Sequence, residues 1–206
     1  MREPLSRREL LAVVSAGVVG AVGTGAAPVR RGKVGLARLP ATAVGADMTT
    51  AQAREALERA LVAATGASSG AAAAKQLFAP GDTVGIKVNT LGGPRLSPRP
   101  ALVEALAALL RDAGVGSERI IVFDRSSREL QRAGYTIRRS GEPFLCFGID
   151  NDYDRQPASH GAIGSCFARL VSATCTALVS LGVVKDHDLA GVSAGLKNWF
   201  GVIHNP

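Results

Sequence analysis

The chain has 206 residues, of which 47% are hydrophobic and 20% charged, and its net charge is +7. That balance excludes a disordered or fibrous polypeptide and suits one globular domain; with aromatic residues at only 4%, the core is built from alanine and small aliphatic side chains. The positive surplus is scattered, at Arg30, Arg31, Lys33, Arg138 and Arg139 among others, without the aromatic interleaving of a single-strand binder. It points to anionic small molecules or membrane head groups and not to nucleic acid.

Arg7 and Arg8 stand directly before an apolar run from Leu10 to Val22, and the small residues Gly23 to Ala27 follow. The run is short of the ~20 apolar residues that a spanning helix needs. Residues 1–27 therefore read as an export signal of the twin-arginine type, cleaved near Ala26 or Ala27. The expectation is an exported protein, periplasmic or extracellular, with the twin-arginine export machinery as one partner. Residues 28–48, rich in glycine, proline and arginine, read as a linker or as a leading strand at Lys33 to Leu39, ahead of an α/β domain over 49–206.

Regular structure is predicted from Thr49, where Thr49 and Gln52 have capping-box spacing and Ala53, Leu57, Ala60, Leu61 and Ala64 share one helical face. Ser68 to Asp82 reads as a loop and a turn. A buried strand is predicted over Thr83 to Val88, then a loop with the Gly92-Gly93 pair, then a helix from Pro98 to Ala113 with Ser97 as N-cap and Gly114 beyond its end. Arg119 to Asp124 is a second strand, Ser126 and Glu129 box a short helix ending near Gly134, and Pro143 to Ile149 is a third strand. After a polar loop, Cys166 to Ala173 is predicted helical and Thr176 to Val184 a fourth strand. Strand and helix alternate at the length of a βαβ unit. The fold class is α/β, a mostly parallel sheet with helices on both faces.

In such sheets ligands bind outside the carboxyl ends of the strands. Three polar clusters fall there: Lys87 and Asn89 with Thr90 and the glycine pair, Asp124 with Arg125, and Lys185, Asp186 and His187. Lys87 is the telling residue. It lies one position from the end of an apolar strand, and an isolated buried ammonium costs several kcal/mol, so it must reach water or pair with an anion. The glycine loop adds backbone donors that favour anions, although no phosphate-loop or dinucleotide pattern is present.

His187 and His204 can join Asp124 or Asp186 as imidazole and carboxylate ligands of a transition metal, but their spacing matches no compact metal motif. Asp150, Asp152 and Asp154 mimic the start of a calcium loop. Arg155 stands where the glycine is required and Gly161 where the closing glutamate is, so a solvated acidic turn is expected instead. Cys146, Cys166 and Cys175 form no C-x-x-C pair and lie in apolar contexts that favour burial over a disulfide. Three thiols fall short of the four that an iron-sulfur cluster usually takes, so no such cluster is expected within this chain.

The order "GDTVGIKVNTLGG", "ALVEALAALLRDAGV", "IIVFDR" and "CTALVSLGVVKDHDLAGVSAGLKNWFGVIHNP" resembles the domain of unknown function 362 family over about Pro80 to Pro206. The last segment is the most specific part. The resemblance implies twin-arginine export, as in many relatives, and a redox or iron-sulfur partner, since many others carry ferredoxin-like cysteine clusters that this chain lacks. It also implies further strands beyond Pro206, so that the sheet is incomplete at that end or completed from elsewhere. A more distant similarity, lysine and histidine at parallel-strand ends, is to nickel-dependent lactate racemases.

The leading expectation is a protein that binds an anionic small molecule or cofactor at the strand ends, with redox or isomerase chemistry in view. Lys87, Lys185 and Lys197 would hold negative charge, Asn89, Asn198 and Asn205 would orient it, and His187 or His204 would move a proton, because imidazole side chains titrate near neutral pH. The alternatives are a metal-dependent enzyme using Asp124, His187 and His204, and a non-catalytic or truncated module whose glycine-rich end docks a partner.

Overall fold

The computed structural model describes residues 32–39 and 48–205; residues 1–27, read from the sequence as an export signal, and most of the stretch read as a linker lie outside them. The leading strand does not form: residues 32–39 adopt no regular secondary structure. They run over the first helix so closely that a Cβ on Gly35 would lie 1.8 Å from the carbonyl oxygen of Ala60.

That helix, α1 (Thr50–Thr65), starts as the sequence predicts, with Thr49 and Gln52 closing a reciprocal capping box. A second helix, α2 (Gly70–Leu77), occupies the stretch read as a loop and turn. The run of four alanines carries the highest helix propensity, and the Ser69 hydroxyl caps it by accepting from the Ala72 amide at 3.1 Å. The glycine at its start lets α2 approach α1, since a Cβ on Gly70 would meet the Glu58 side chain at 2.3 Å.

The central sheet is parallel, made of β1 (Val84–Val88), β2 (Ile120–Asp124), β3 (Leu145–Gly148) and β6 (Ala177–Leu181), in the order β3-β2-β1-β6. Between them run α3 (Pro100–Asp112), after β1, and α4 (Ser127–Arg132), after β2. The α3 cap is two residues later than Ser97. Pro98 does not open the helix; Pro100 does, behind Arg99, and Ser97 instead donates to the Gly93 carbonyl at 2.6 Å, tying down the loop.

The polar loop after β3 folds into an antiparallel hairpin, β4 (Ala158–His160) and β5 (Ile163–Ser165). The helix expected at Cys166 to Ala173 is a π-helical turn over Leu170–Thr174. Phe167 and Ala168 are held extended ahead of it by bridges to Ile203 and Tyr153. Past β6 come the hairpin β7 (Lys185–His187) and β8 (Gly191–Ser193), then α5 (Gly195–Asn198) and a 3-10 turn over Trp199–Val202.

Alternation along the strands sorts the core into two layers. Val84, Ile86, Val88, Ile120 and Val122 face α3 and α4, while Ile121 and Phe123 face the π-helical turn and the Trp199–Val202 turn. β1 and β2, the two inner strands, are buried throughout; β6, at one edge, is half-buried along its whole length. All three cysteines are free thiols, and burial pushes Cys146 up to about 11 and Cys175 up to about 12. The acidic turn is solvent-exposed at Asp150 and Asp152, as expected, and the Asp150 carboxylate also accepts from the amide and hydroxyl of Ser127, both at 2.9 Å, at the start of α4.

β3 runs against α4 with no room for a side chain at Gly148, where a Cβ would lie 2.0 Å from the Ser127 nitrogen. Gly148→Ala is expected to cost about 1–3 kcal/mol or more, as overpacking against backbone does. Gly182→Ala, whose nearest neighbour would stand 4.0 Å away, is expected to change stability little. Urea denaturation of both variants checks this.

Candidate functional site: a buried lysine-aspartate pair at the strand ends

β1, β2 and β3 succeed one another to one side, and the chain then returns to lay β6 on the other side of β1. The carboxyl ends of β1 and β6 thus flank the point where strand order reverses, the usual ligand crevice of a doubly wound sheet.

Lys87 sits at that point with 1% of its surface exposed, and its three ammonium protons have three acceptors. They are Asp124 Oδ1 at 2.5 Å, the Val88 carbonyl at 2.6 Å and Asn198 Oδ1 at 3.1 Å. Of the two ways a strand-end lysine can be accommodated, β1 takes the pair, and the anion is Asp124 of the adjacent strand. Burial depresses the Lys87 pKa, and the nearby Asp124 charge opposes that shift without cancelling it.

Asp124 is as fully engaged. Its Oδ1 also accepts from the Arg125 amide at 2.8 Å, and its Oδ2 accepts from both the amide and the hydroxyl of Thr90 at 2.6 Å each. A carboxylate offers about four lone-pair positions, and here four donors use them. Asn198, 2% exposed, completes the cluster by donating to the Lys87 carbonyl at 2.8 Å and to Ser180 Oγ at 3.2 Å. Its amide therefore stitches β1 to β6 across the crevice. Gly201 closes the top: a Cβ there would lie 3.0 Å from Lys87 Nζ and 3.4 Å from Asp124 Oδ1.

One layer further out, Lys185 donates to Asn89 Oδ1 at 2.8 Å and to the Leu96 carbonyl at 3.1 Å. These are its two bonds among the described residues, leaving one ammonium proton for another acceptor. Burial lowers its pKa, against the attraction of Asp124. His187 lies two residues along β7 and so on the same face; its Nδ1 accepts from the Leu189 and Ala190 amides at 3.2 and 3.3 Å, which leaves Nε2 for other partners.

The remaining candidates stand apart. Lys197 places its Nζ 3.8 Å from the centre of the Phe200 ring. His204 packs edge-on against Tyr153 with ring centres 5.1 Å apart, and its carbonyl accepts from Arg125. Asn205 accepts from Ser165 Oγ at 2.7 Å. The structure therefore brings together Lys87, Asp124 and Asn198, sets Asn89, Lys185 and His187 beside them, and leaves Lys197, His204 and Asn205 outside. Asp124, His187 and His204 do not converge, and among the described residues no three His, Cys, Asp or Glu side chains are arranged to hold a metal ion.

Thr90, already placed by the sequence in the strand-end cluster with Lys87, joins it through its amide and hydroxyl, whereas Ser180 enters through a hydroxyl for which the sequence carries little signal. Gly201 is different, because a glycine three residues after a buried asparagine can be read as a site of close approach. A cleft of about 820 Å³ lined by Arg139, Phe147, Asp150 and Asp152 among others lies along β3 and includes none of these residues.

A doubly wound sheet with a saturated ion pair where its strand order reverses places this chain among α/β proteins whose polar residues gather at the strand carboxyl ends. The chain belongs to the family described as domain of unknown function (DUF362), which matches residues 84–206, from the first residue of β1 onward. No curated protein and no solved structure matches it.

Lys87→Met leaves Asp124 buried without its cation and is expected to cost about 3–5 kcal/mol. Asp124→Asn strands the lysine instead. Because the two groups share one network, the double variant should lose less than the sum of the singles, with a coupling of about 1–3 kcal/mol in a denaturation cycle. Strict additivity would show that the pair is not the unit described here.

Proposed function

We propose that this is an exported binding protein for a small anionic molecule, which it holds at the carboxyl edge of the sheet above the Lys87–Asp124 pair. One observation carries the reading: Lys185 is a partly desolvated ammonium with one donor uncommitted among the described residues, fixed by Asn89 and the Leu96 carbonyl where the strand order reverses. A cation already ordered and partly stripped of water gains more from an anion than a free surface lysine does, because little side-chain entropy remains to be lost.

Lys87 supports the site from below. With its three protons taken and its charge matched by Asp124, it fixes the strand ends, while Lys185 makes the contact. His187, on the same face of β7, is the group placed to exchange a proton with a molecule on Lys185, which is where isomerase or other acid-base chemistry would begin. Export rests on Arg7, Arg8 and the apolar run after them.

The test is calorimetric titration of inorganic phosphate and a panel of small di- and tricarboxylates. Lys185→Ala is expected to weaken the best binder by roughly tenfold or more, the loss of one charge-assisted hydrogen bond. Lys197→Ala, whose ammonium rests on Phe200, should change it little. The anion needs Lys185 protonated, and burial lowers its pKa from the ordinary lysine value, so affinity is expected to fall as pH rises, and to do so at lower pH than it would for a fully solvated lysine. Unchanged affinity in Lys185→Ala rejects the assignment.

A further inference from the structure

The three segments that meet around Lys185 expose an unusual amount of apolar side chain. Leu91 lies in the loop after β1, Val184, Leu189 and Val192 on the β7–β8 hairpin, and Leu196 and Phe200 on α5 and the turn after it; all six are exposed, Leu189 by 95%. The segments adjoin one another. Lys185 binds Asn89 and the Leu96 carbonyl of the loop, and α5 follows β8 directly and is pinned to β1 and β6 through Asn198.

Scattered exposed leucines need no explanation, but apolar side chains gathered on one edge do. Within these segments, residues 89–99 and 184–200, stand Arg95, Arg99, Lys185 and Lys197 against Asp186 and Asp188. A second copy of the chain would meet the same cations with its own. An exposed apolar set on the hairpin, the loop after β1 and α5, with basic residues on the adjoining segments outnumbering the hairpin's Asp186 and Asp188, matches an anionic bilayer surface, where apolar side chains enter the acyl boundary and cations stay at the head groups. Among the described residues no helix is long and apolar enough to cross a membrane.

We infer that the carboxyl edge of this sheet docks on an anionic membrane, with Leu189 at the tip of the β7–β8 hairpin entering the lipid and Leu91, Val192, Leu196 and Phe200 following. The inference goes beyond the anion site and does not depend on it, because the docking residues are the apolar rim and not the Lys185 contact.

Hydrogen–deuterium exchange on the full chain resolves the surface segment by segment, independently of any lipid affinity of residues 1–27. With vesicles containing phosphatidylglycerol, exchange over 184–197 is expected to slow roughly fivefold or more, while 70–82, at the amino edge of the sheet, stays unchanged; phosphatidylcholine vesicles should have little effect. Leu189→Ser with Val192→Ser and Leu196→Ser should abolish the slowing, and so should Leu189→Asp alone. All three side chains are exposed, so exchange over 70–82 and phosphate binding should match the unaltered chain. No slowing over 184–197, equal slowing on both vesicle types, or slowing that survives both variants would overturn the inference.

Discussion

The ion pair between Lys87 and Asp124 sets the conditions that the rest of the site obeys. Two charges removed from water are tolerated only if every proton and lone pair finds a partner. That requirement recruits residues far apart in sequence: Thr90 from the loop after β1, the Arg125 amide after β2, Ser180 from β6 and Asn198 from α5. Gly201 is fixed by the same demand, since the turn that delivers Asn198 must then pass directly over the ammonium. A glycine-rich, lysine-asparagine-containing tail is thereby converted into a lid with defined geometry.

Saturation also decides which groups remain for chemistry. Lys87 and Asp124 are the most buried charges of the site, and by burial alone they invite a catalytic reading. Their hydrogen bonds argue differently, because neither has capacity left for a ligand. Capacity appears one shell outward, at Lys185 and at His187 Nε2. A well-packed apolar pair could hold β1 to β2 comparably. What the charges add is a polar end to the sheet that can seat Asn89 and Lys185 in register.

Much of the architecture was legible because strand and helix periods are strong over the segments that form the parallel sheet. The four sheet strands, the α1 capping box and the clustering of Lys87, Asp124 and Asn198 at one edge all follow from local pattern and the strand-end rule. The misses have two causes, a competing hydrogen bond within one loop and contacts between segments far apart in sequence. Ser97 has the spacing of a cap, but its hydroxyl is claimed by Gly93, which moves the start of α3 to Pro100. Cys166 to Ala173 has a helical pattern, yet bridges to Tyr153 and Ile203 hold its first residues extended. His187 and His204 look like partners in the sequence, and the hairpin and the Tyr153 packing separate them. Side-chain pairing of Lys87 with Asp124 was equally beyond pattern, since register between β1 and β2 decides it.

The crevice at the reversal of strand order is where a doubly wound sheet ordinarily admits its ligand. Here the Asn198 amide fills it, bonded to the Lys87 carbonyl and Ser180 Oγ and covered by Gly201. The strand edge is consequently built in two layers with opposite properties. The inner layer is polar, dry and saturated, and its cost of formation is met within the fold. The outer layer pairs an incompletely bonded ammonium with exposed leucine and valine side chains, so its unmet interactions are directed outward. A site arranged this way seals the ion pair inside the fold and leaves the hairpin, the loop after β1 and α5 as the parts of this edge that face outward.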